Sequence, residues 1–231
     1  MREVAVFGAG GGIGSALVAA LAARSDVARV VAVSRQVVSG GGKVSALTCD
    51  PLDPAALAEV AAQMSPDLVI VATGALTLPG GIGPEKSLRA VTAAALLESY
   101  RINAVLPALI AQALLPRMPR DRRAVLAVLS ARVGSIGDNR LGGWHAYRAS
   151  KAALNQLVRT IAVEARRTHP LAVIAALHPG TVATALTAPF VGGRETLSPD
   201  ASAENLLRVI DRLASGDSGG FFAWDGAPIP F

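Results

Sequence analysis

The stretch from Val4 to Leu17 constrains this chain more than any other. Val4-Ala5-Val6-Phe7 is a short apolar run of the kind that forms a strand buried on both faces. Gly8-Ala9-Gly10-Gly11-Gly12-Ile13-Gly14 follows, and Ser15-Ala16-Leu17 opens a segment suited to a helix. Glycines permit a tight turn and a close approach of backbone to ligand. The free N–H groups of the helix start would then face a pyrophosphate. A flexible glycine-rich turn with no ligand has the same composition. The strand before it and the helix after it favour a dinucleotide site, with contacts expected from Gly8, Gly10, Gly11, Gly12, Ile13 and Gly14.

The rest of the chain repeats the alternation of strand and helix. Val30–Val33, Val44–Cys49, Leu68–Val71, Ala124–Leu129 and Leu171–Leu177 read as further strands, and Gly220–Trp224 as a seventh, peripheral one. Helices are expected over about 54–63, 85–97, 100–115, 146–167 and 200–214, with Pro107 bending the third of these. Residues 36–42 and 76–84 read as loops. The strands lack amphipathic alternation, which indicates an α/β fold with a doubly wound parallel sheet. No repeat or second domain is visible, so one domain over residues 1–231 is expected, with 183–198 an irregular segment that could cover a site.

Composition narrows the function classes. Apolar residues make up 52% of the 231, which argues against disorder, and at 4% aromatic the core must be filled by Val, Ala and Leu. The apolar runs are broken by Gly, Pro or charge, so no membrane association is expected. The only cysteine, Cys49, excludes an internal disulfide framework, and three histidines show no metal-ligand spacing. A cytoplasmic location is the resulting expectation. The net charge of +5 is dispersed. Its densest cluster, Arg117 to Arg123, reads as a solvated helix end rather than a nucleic-acid surface, and no nucleic-acid partner is expected.

The strand ends carry the candidate ligand contacts. Ser34-Arg35 follows the second strand, where a dinucleotide fold meets the adenosine ribose. An acidic residue there would bond the 2′-hydroxyl of NAD, whereas Arg35 suits the 2′-phosphate of NADP. A surface arginine at a strand end is the plainer alternative. Asp50-Pro51-Leu52 belongs at the adenine end, where Asp50 could accept a hydrogen bond; Asp53 reads equally as a helix cap. Ala72-Thr73-Gly74 could pass close to the cofactor. Tyr147 and Lys151 lie four apart, hence on one helix face. An ammonium beside a phenol lowers the phenol's pKa and makes Tyr147 an acid or base near neutral pH.

Taken together, Gly8, Gly12 and Gly14, Tyr147 with Lys151, and the segments Gly134-Ser135-Ile136, Gly142-Gly143-Trp144 and Gly220-Phe221-Phe222 resemble the short-chain dehydrogenase/reductase family, and within it the small C-factor-like bacterial branch. The resemblance spans essentially the whole chain. It implies a Rossmann-type fold and a nicotinamide cofactor, NADP(H) in preference to NAD(H). It also implies hydride transfer to or from a carbonyl or alcohol carbon. By residue it implies Tyr147 as acid/base, Lys151 as its tuner and ribose ligand, and Asn103 as support for a proton relay. Asp50 becomes an adenine contact, and Pro179-Gly180 with Val182 and Thr184 the segment holding the nicotinamide. Two serines are usual at the end of the fifth strand, the second polarising the substrate. Here the second position is Ala131, so Ser130 is expected to serve, with Ser135 as fallback. Homodimers or homotetramers through Val105–Leu115 and Ala152–Ile161 are the family's habit. A cofactor-binding signalling protein with little turnover is the alternative to an enzyme.

Overall fold

The computed structural model describes residues 2–193 and 195–231. Seven strands form one sheet: β1 (Arg2–Phe7), β2 (Val27–Ser34), β3 (Val44–Thr48), β4 (Leu68–Val71), β5 (Ala124–Leu129), β6 (Ala172–His178) and β7 (Phe221–Ala223). Their order is β3-β2-β1-β4-β5-β6-β7, and every pairing is parallel. The chain starts in the middle of the sheet, builds outward to β3, then crosses back to β4. That reversal between β1 and β4 leaves a crevice above the carboxyl ends of the strands, the ligand position of a Rossmann-type sheet.

Each sheet face is sealed by helices because both faces of the strands are apolar. Helices α2 (Pro54–Ala62), α4 (Leu106–Leu114) and α5 (His145–Ala165) bury Leu57, Ile110, Leu114, Leu154 and Val158 against Phe7, Val71, Leu126 and Ile174. Helices α1 (Gly12–Ala23) and α6 (Pro199–Arg212) bury Leu17, Leu21, Leu206 and Ile210 against Val6, Ile70 and Val173 on the other face. No helix joins β2 to β3. The nine residues 35–43 are too few for a helical crossover, which takes a dozen or more. β3 is therefore half-covered, and Val37 is 89% exposed.

Three expectations need correction. Residues 85–92 are a loop with one short turn, Leu88–Ala90, and α3 begins only at Ala93, capped by Thr92. The separate helix at 100–115 is instead continuous with it. α3 (Ala93–Tyr100) runs through a π-turn, Arg101–Val105, into α4. In that turn the Leu106 N–H donates to the Arg101 carbonyl, five residues back. Proline at 107 has no N–H for the Asn103 carbonyl, so a wider turn replaces the ordinary one just there. The resulting stretch, Ala93–Arg117, is long and apolar enough by length and composition to cross a membrane, contrary to the reading of broken runs. Here it buries Ala104, Leu106, Ile110, Ala111 and Leu114, as a core helix does.

Candidate active site

The glycine turn is shaped by close backbone contact. A Cβ on Gly14 would sit 2.1 Å from the Gly8 carbonyl oxygen, and one on Gly8, where φ is +84°, would meet Ala72 backbone at 2.9 Å. A Cβ on Gly12 would strike Thr184 at 2.8 Å. Asp53, Thr92 and Ser198 cap α2, α3 and α6 with their side chains; α1 begins at Gly11 with no side-chain cap. Its first-turn N–H groups are thus left to an anion.

Two cavities open above the sheet and share Gly11, Ala72, Thr73 and Gly74 as walls. One, of about 740 Å³, is lined by Gly8, Gly10, Ser34, Arg35, Asp50, Pro51 and Leu52. Arg35 is exposed there and has no ion pair among the described residues. Asp53 acts as the α2 cap, accepting from the N–H groups of Ala55 and Ala56. Asp50 accepts from Leu52 N–H at 3.1 Å while facing this cavity. The other cavity, about 520 Å³, brings Gly12, Ile13, Gly14, Tyr147, Lys151, Pro179, Gly180, Val182 and Thr184 together. Leu76, Leu186 and Phe190 give it apolar walls, and Trp144 packs edge-on to both Tyr147 and Phe190, at 6.3 and 5.7 Å between ring centroids. Thr73 Oγ1 is buried between the cavities without a partner, a polar atom placed for a ligand. Uncapped helix start, glycine cradle and orphaned hydroxyl all fit a dinucleotide.

Tyr147 and Lys151 share the face of α5 turned to this cavity. The Lys151 ammonium lies 5.9 Å from the Tyr147 ring centre and donates to the Leu129 carbonyl at 2.9 Å. Burial holds the ammonium down to about 7 and pushes the phenol up. The expected lowering of the tyrosine by its lysine is therefore reversed, because desolvation disfavours both charged forms.

Asn103 is fully buried in the π-turn. Its Nδ2 donates to the Ala75 carbonyl at 2.9 Å and to Ser99 Oγ at 3.2 Å, and its Oδ1 accepts from Ala75 N–H at 2.9 Å. The side chain is spent fastening the loop after β4 to the helix. Ser130 also has a task other than the expected one. Ser130 lines the cavity as expected, but its hydroxyl donates to Asn155 Oδ1 at 2.7 Å. A hydroxyl has one proton, so Ser130 as placed does not polarise a substrate. Ala131 lines the cavity beside it with nothing to donate. Ser135 is buried away from the cavity and accepts from Asp138 N–H. Arg132 is an ion-pair partner of Asp138.

The sequence reading missed Glu85. α5 starts after Trp144, whose left-handed backbone (φ +51°) supplies no side-chain cap. Glu85, 6% exposed, reaches in from the loop before α3 instead: its Oε2 accepts from Ala146 N–H at 3.1 Å, and its carbonyl accepts from Trp144 N–H. Ser99 and Ser150 were missed too; their hydroxyls meet at 3.0 Å and link the Asn103 turn to α5. An acidic residue sixty-one positions from its partner carries no local signal.

Comparison with known proteins agrees with this geometry. The chain is 37% identical over 133 residues to the C-signal protein of Myxococcus xanthus, covering 58% of this chain and 76% of that one. Three further curated relatives are matched over about half of their own length, 45% to 56%, and the short-chain dehydrogenase srdF of Neurospora crassa, 33% identical, over 72% of its length and 78% of this chain. Among solved structures, the NADPH-bound carbonyl reductase from chicken fatty liver superposes with a TM-score of 0.84 at 26% identity, over 100% of this chain and 94% of that one. A carbonyl reductase from Pseudomonas aeruginosa gives 0.82 at 27% identity over the full length of both. The sequence profile described as short chain dehydrogenase matches residues 2–194. On that match, and on the sheet and crevice that carry it, the chain belongs to the short-chain dehydrogenase family of oxidoreductases.

Proposed function

We propose that the chain is an NADP(H)-dependent carbonyl reductase acting on small, largely apolar ketones or aldehydes. The observation that carries the reading is the placement of Tyr147 and Lys151 in an apolar cavity that shares its walls with the glycine turn. Gly8 to Gly14 and the open start of α1 hold the pyrophosphate. Arg35 pairs with the 2′-phosphate, Asp50 with adenine, and Thr73 and Lys151 with the ribose at the nicotinamide end. Pro179, Gly180, Val182 and Thr184 position the nicotinamide, whose reduced ring supplies the hydride when bound. Tyr147 stays a neutral phenol at neutral pH, because burial raises its pKa, and so gives its proton to the carbonyl oxygen. The Asn103 carbonyl, denied an α-helical partner by Pro107, accepts from the water that re-protonates the site through Lys151. Residues 183–198, of which Arg194 lies outside the described residues, cover the substrate. That the chain acts in the cytoplasm and assembles through the α4 and α5 faces belongs to the same proposal. The bound NADPH of the chicken carbonyl reductase supports the cofactor choice.

The test is titration of purified protein with NADPH and NADH by fluorescence, followed by addition of ketones. Tight NADPH binding, weak NADH binding and oxidation on adding a ketone are expected; no binding of either nucleotide refutes the reading. The second reading, a cofactor-binding signalling protein, draws on Ala131 and on the likeness to C-signal. Tyr147→Phe separates the two, since a signalling role that needs only bound cofactor survives it.

A further inference from the structure

The cavity that holds Tyr147 is short of hydrogen-bond donors. Ser130 gives its proton to Asn155, Thr187 gives its proton to backbone, Arg132 is paired with Asp138, and residue 131 is alanine. A second donor on the substrate oxygen is what fixes the carbonyl and stabilises charge as it develops there. Thr181, Trp144 and His178 are lining side chains that make no side-chain hydrogen bond among the described residues, and of these His178 is the one that ends the strand next to Ser130. His178 ends β6, and the Leu129–Leu177 pairing sets it beside Ser130 across the sheet; Ser130 N–H donates to the Leu177 carbonyl at 2.8 Å. It alternates with Leu177 and follows Ala176 and Ile174, so it points to the α5 side, where Tyr147 is. Its imidazole makes no hydrogen bond among the described residues, and Nδ1 is buried without a partner. His178 lines the cavity, and its second ring nitrogen, Nε2, also has no hydrogen bond among the described residues, so it is the ring atom left to a ligand.

We propose that the His178 imidazole, through Nε2–H, donates the hydrogen bond to the substrate carbonyl oxygen that Ala131 cannot. The donating tautomer carries its proton on Nε2 and leaves the enclosed Nδ1 bare. Burial and the neighbouring Arg132 outweigh Asp225 and hold the imidazolium pKa down to about 4. The ring is therefore a neutral donor, and Tyr147 alone gives up a proton in the reaction. The inference rests on the carbonyl-reducing reading and adds its substrate-orienting residue.

The experiment measures turnover of acetophenone at saturating NADPH, with NADPH affinity measured in parallel. His178→Ala is expected to lower kcat about 100-fold while NADPH affinity stays within about threefold. His178→Gln, whose amide reaches the Nε2 position, recovers part of the loss; His178→Asn does not. Ala131→Ser placed in the His178→Ala background restores at least about tenfold. In the dead-end complex with NADP+, the carbonyl stretch of bound acetophenone lies at lower frequency in the wild type than in His178→Ala. Equal frequencies, or a His178→Ala kcat within about threefold of wild type, overturn the proposal. A wild type that binds NADPH without turnover but becomes active on Ala131→Ser also overturns it, since the cavity then lacked a donor; the carbonyl-reducing scaffold survives. Inactivity in both removes both readings.

Discussion

Ser130→Ala distinguishes a structural hydroxyl from a catalytic one. Ser130 is 4% exposed, and its hydroxyl donates over 2.7 Å to Asn155, itself buried. Removing it leaves Asn155 Oδ1 without a donor, a cost of about 1–3 kcal/mol for a buried neutral acceptor. Part of that is recovered, because the serine hydroxyl no longer has to be desolvated. A net loss near 2 kcal/mol corresponds to a fall in Tm of about 4–8 °C for a chain of this size. Asn155 Nδ2 also donates to the Gly134 carbonyl at 3.3 Å, so the whole turn from 130 to 134 slackens slightly. Catalysis should fall less than about fivefold, since the lost hydroxyl gives its proton to Asn155 and not to the cavity it lines. The assays are thermal and urea unfolding, steady-state kinetics, and a double-mutant cycle with Asn155→Ala. The cycle should show a coupling of about 1 kcal/mol or more between the two side chains. A Ser130→Ala protein with unchanged Tm and kcat lowered about 100-fold would refute this reasoning and return Ser130 to the chemistry.

Gly14→Ala should weaken NADPH binding at least tenfold, about 1.4 kcal/mol, because its Cβ would lie 2.1 Å from the Gly8 carbonyl; isothermal titration checks it. Glu85→Ala should cost about 1–2 kcal/mol of stability by uncapping α5 and lower kcat while NADPH affinity holds, and Glu85→Gln should restore much of both. Lys151, held down to about 7 from 10.5, makes stability rise with pH between those values, since there the unfolded chain binds a proton that the folded chain does not. The gain is at most about 1.4 kcal/mol per pH unit and should vanish in Lys151→Met. Cys49, raised by burial, acts in the opposite sense above its unfolded pKa, so unfolding is compared only from pH 7 to about 8.5.

The strands and the cofactor turn were legible because their signals are local. Leu68–Val71 and Ala124–Leu129 stand where the apolar runs put them, and β7 is peripheral as its short run suggested. The missing helix between β2 and β3 was visible as a short glycine-rich link. What escaped depends on partners far along the chain. Residues 85–92 have helical composition, yet the carboxylate of Glu85 is needed at α5, and the segment stays open to deliver it. Ser130 was recognised by residue type, but the direction of its hydroxyl is set by Asn155, twenty-five positions on. The i, i+4 spacing of Tyr147 and Lys151 was read correctly as a shared face. Their electrostatics were not, because burial of both groups is a property of the closed fold and not of the spacing.

Three buried amide or carboxylate side chains fasten the site without taking part in it. Asn103 ties the loop after β4 to the π-turn, Asn155 ties the turn after β5 to α5, and Glu85 ties the preceding loop to the start of α5. Each bond is enclosed, where its loss leaves a desolvated partner and is costly. The groups facing the cavity are the reverse. The Tyr147 phenol has no hydrogen bond among the described residues, Lys151 has one, and His178 and Thr73 each keep a buried polar atom unpartnered. The frame, in which Asn103 and Asn155 are bonded at both ends of the amide and Glu85 through Oε2 while its Oε1 stays unpartnered, holds the turns that carry the reactive groups. Without it they would turn toward one another or toward backbone, and the cavity would close around its own polar atoms. The frame also explains why Ala131 is tolerable: the turn that carries it is held by Ser130 and Asn155, so its place in the cavity does not depend on a hydroxyl of its own.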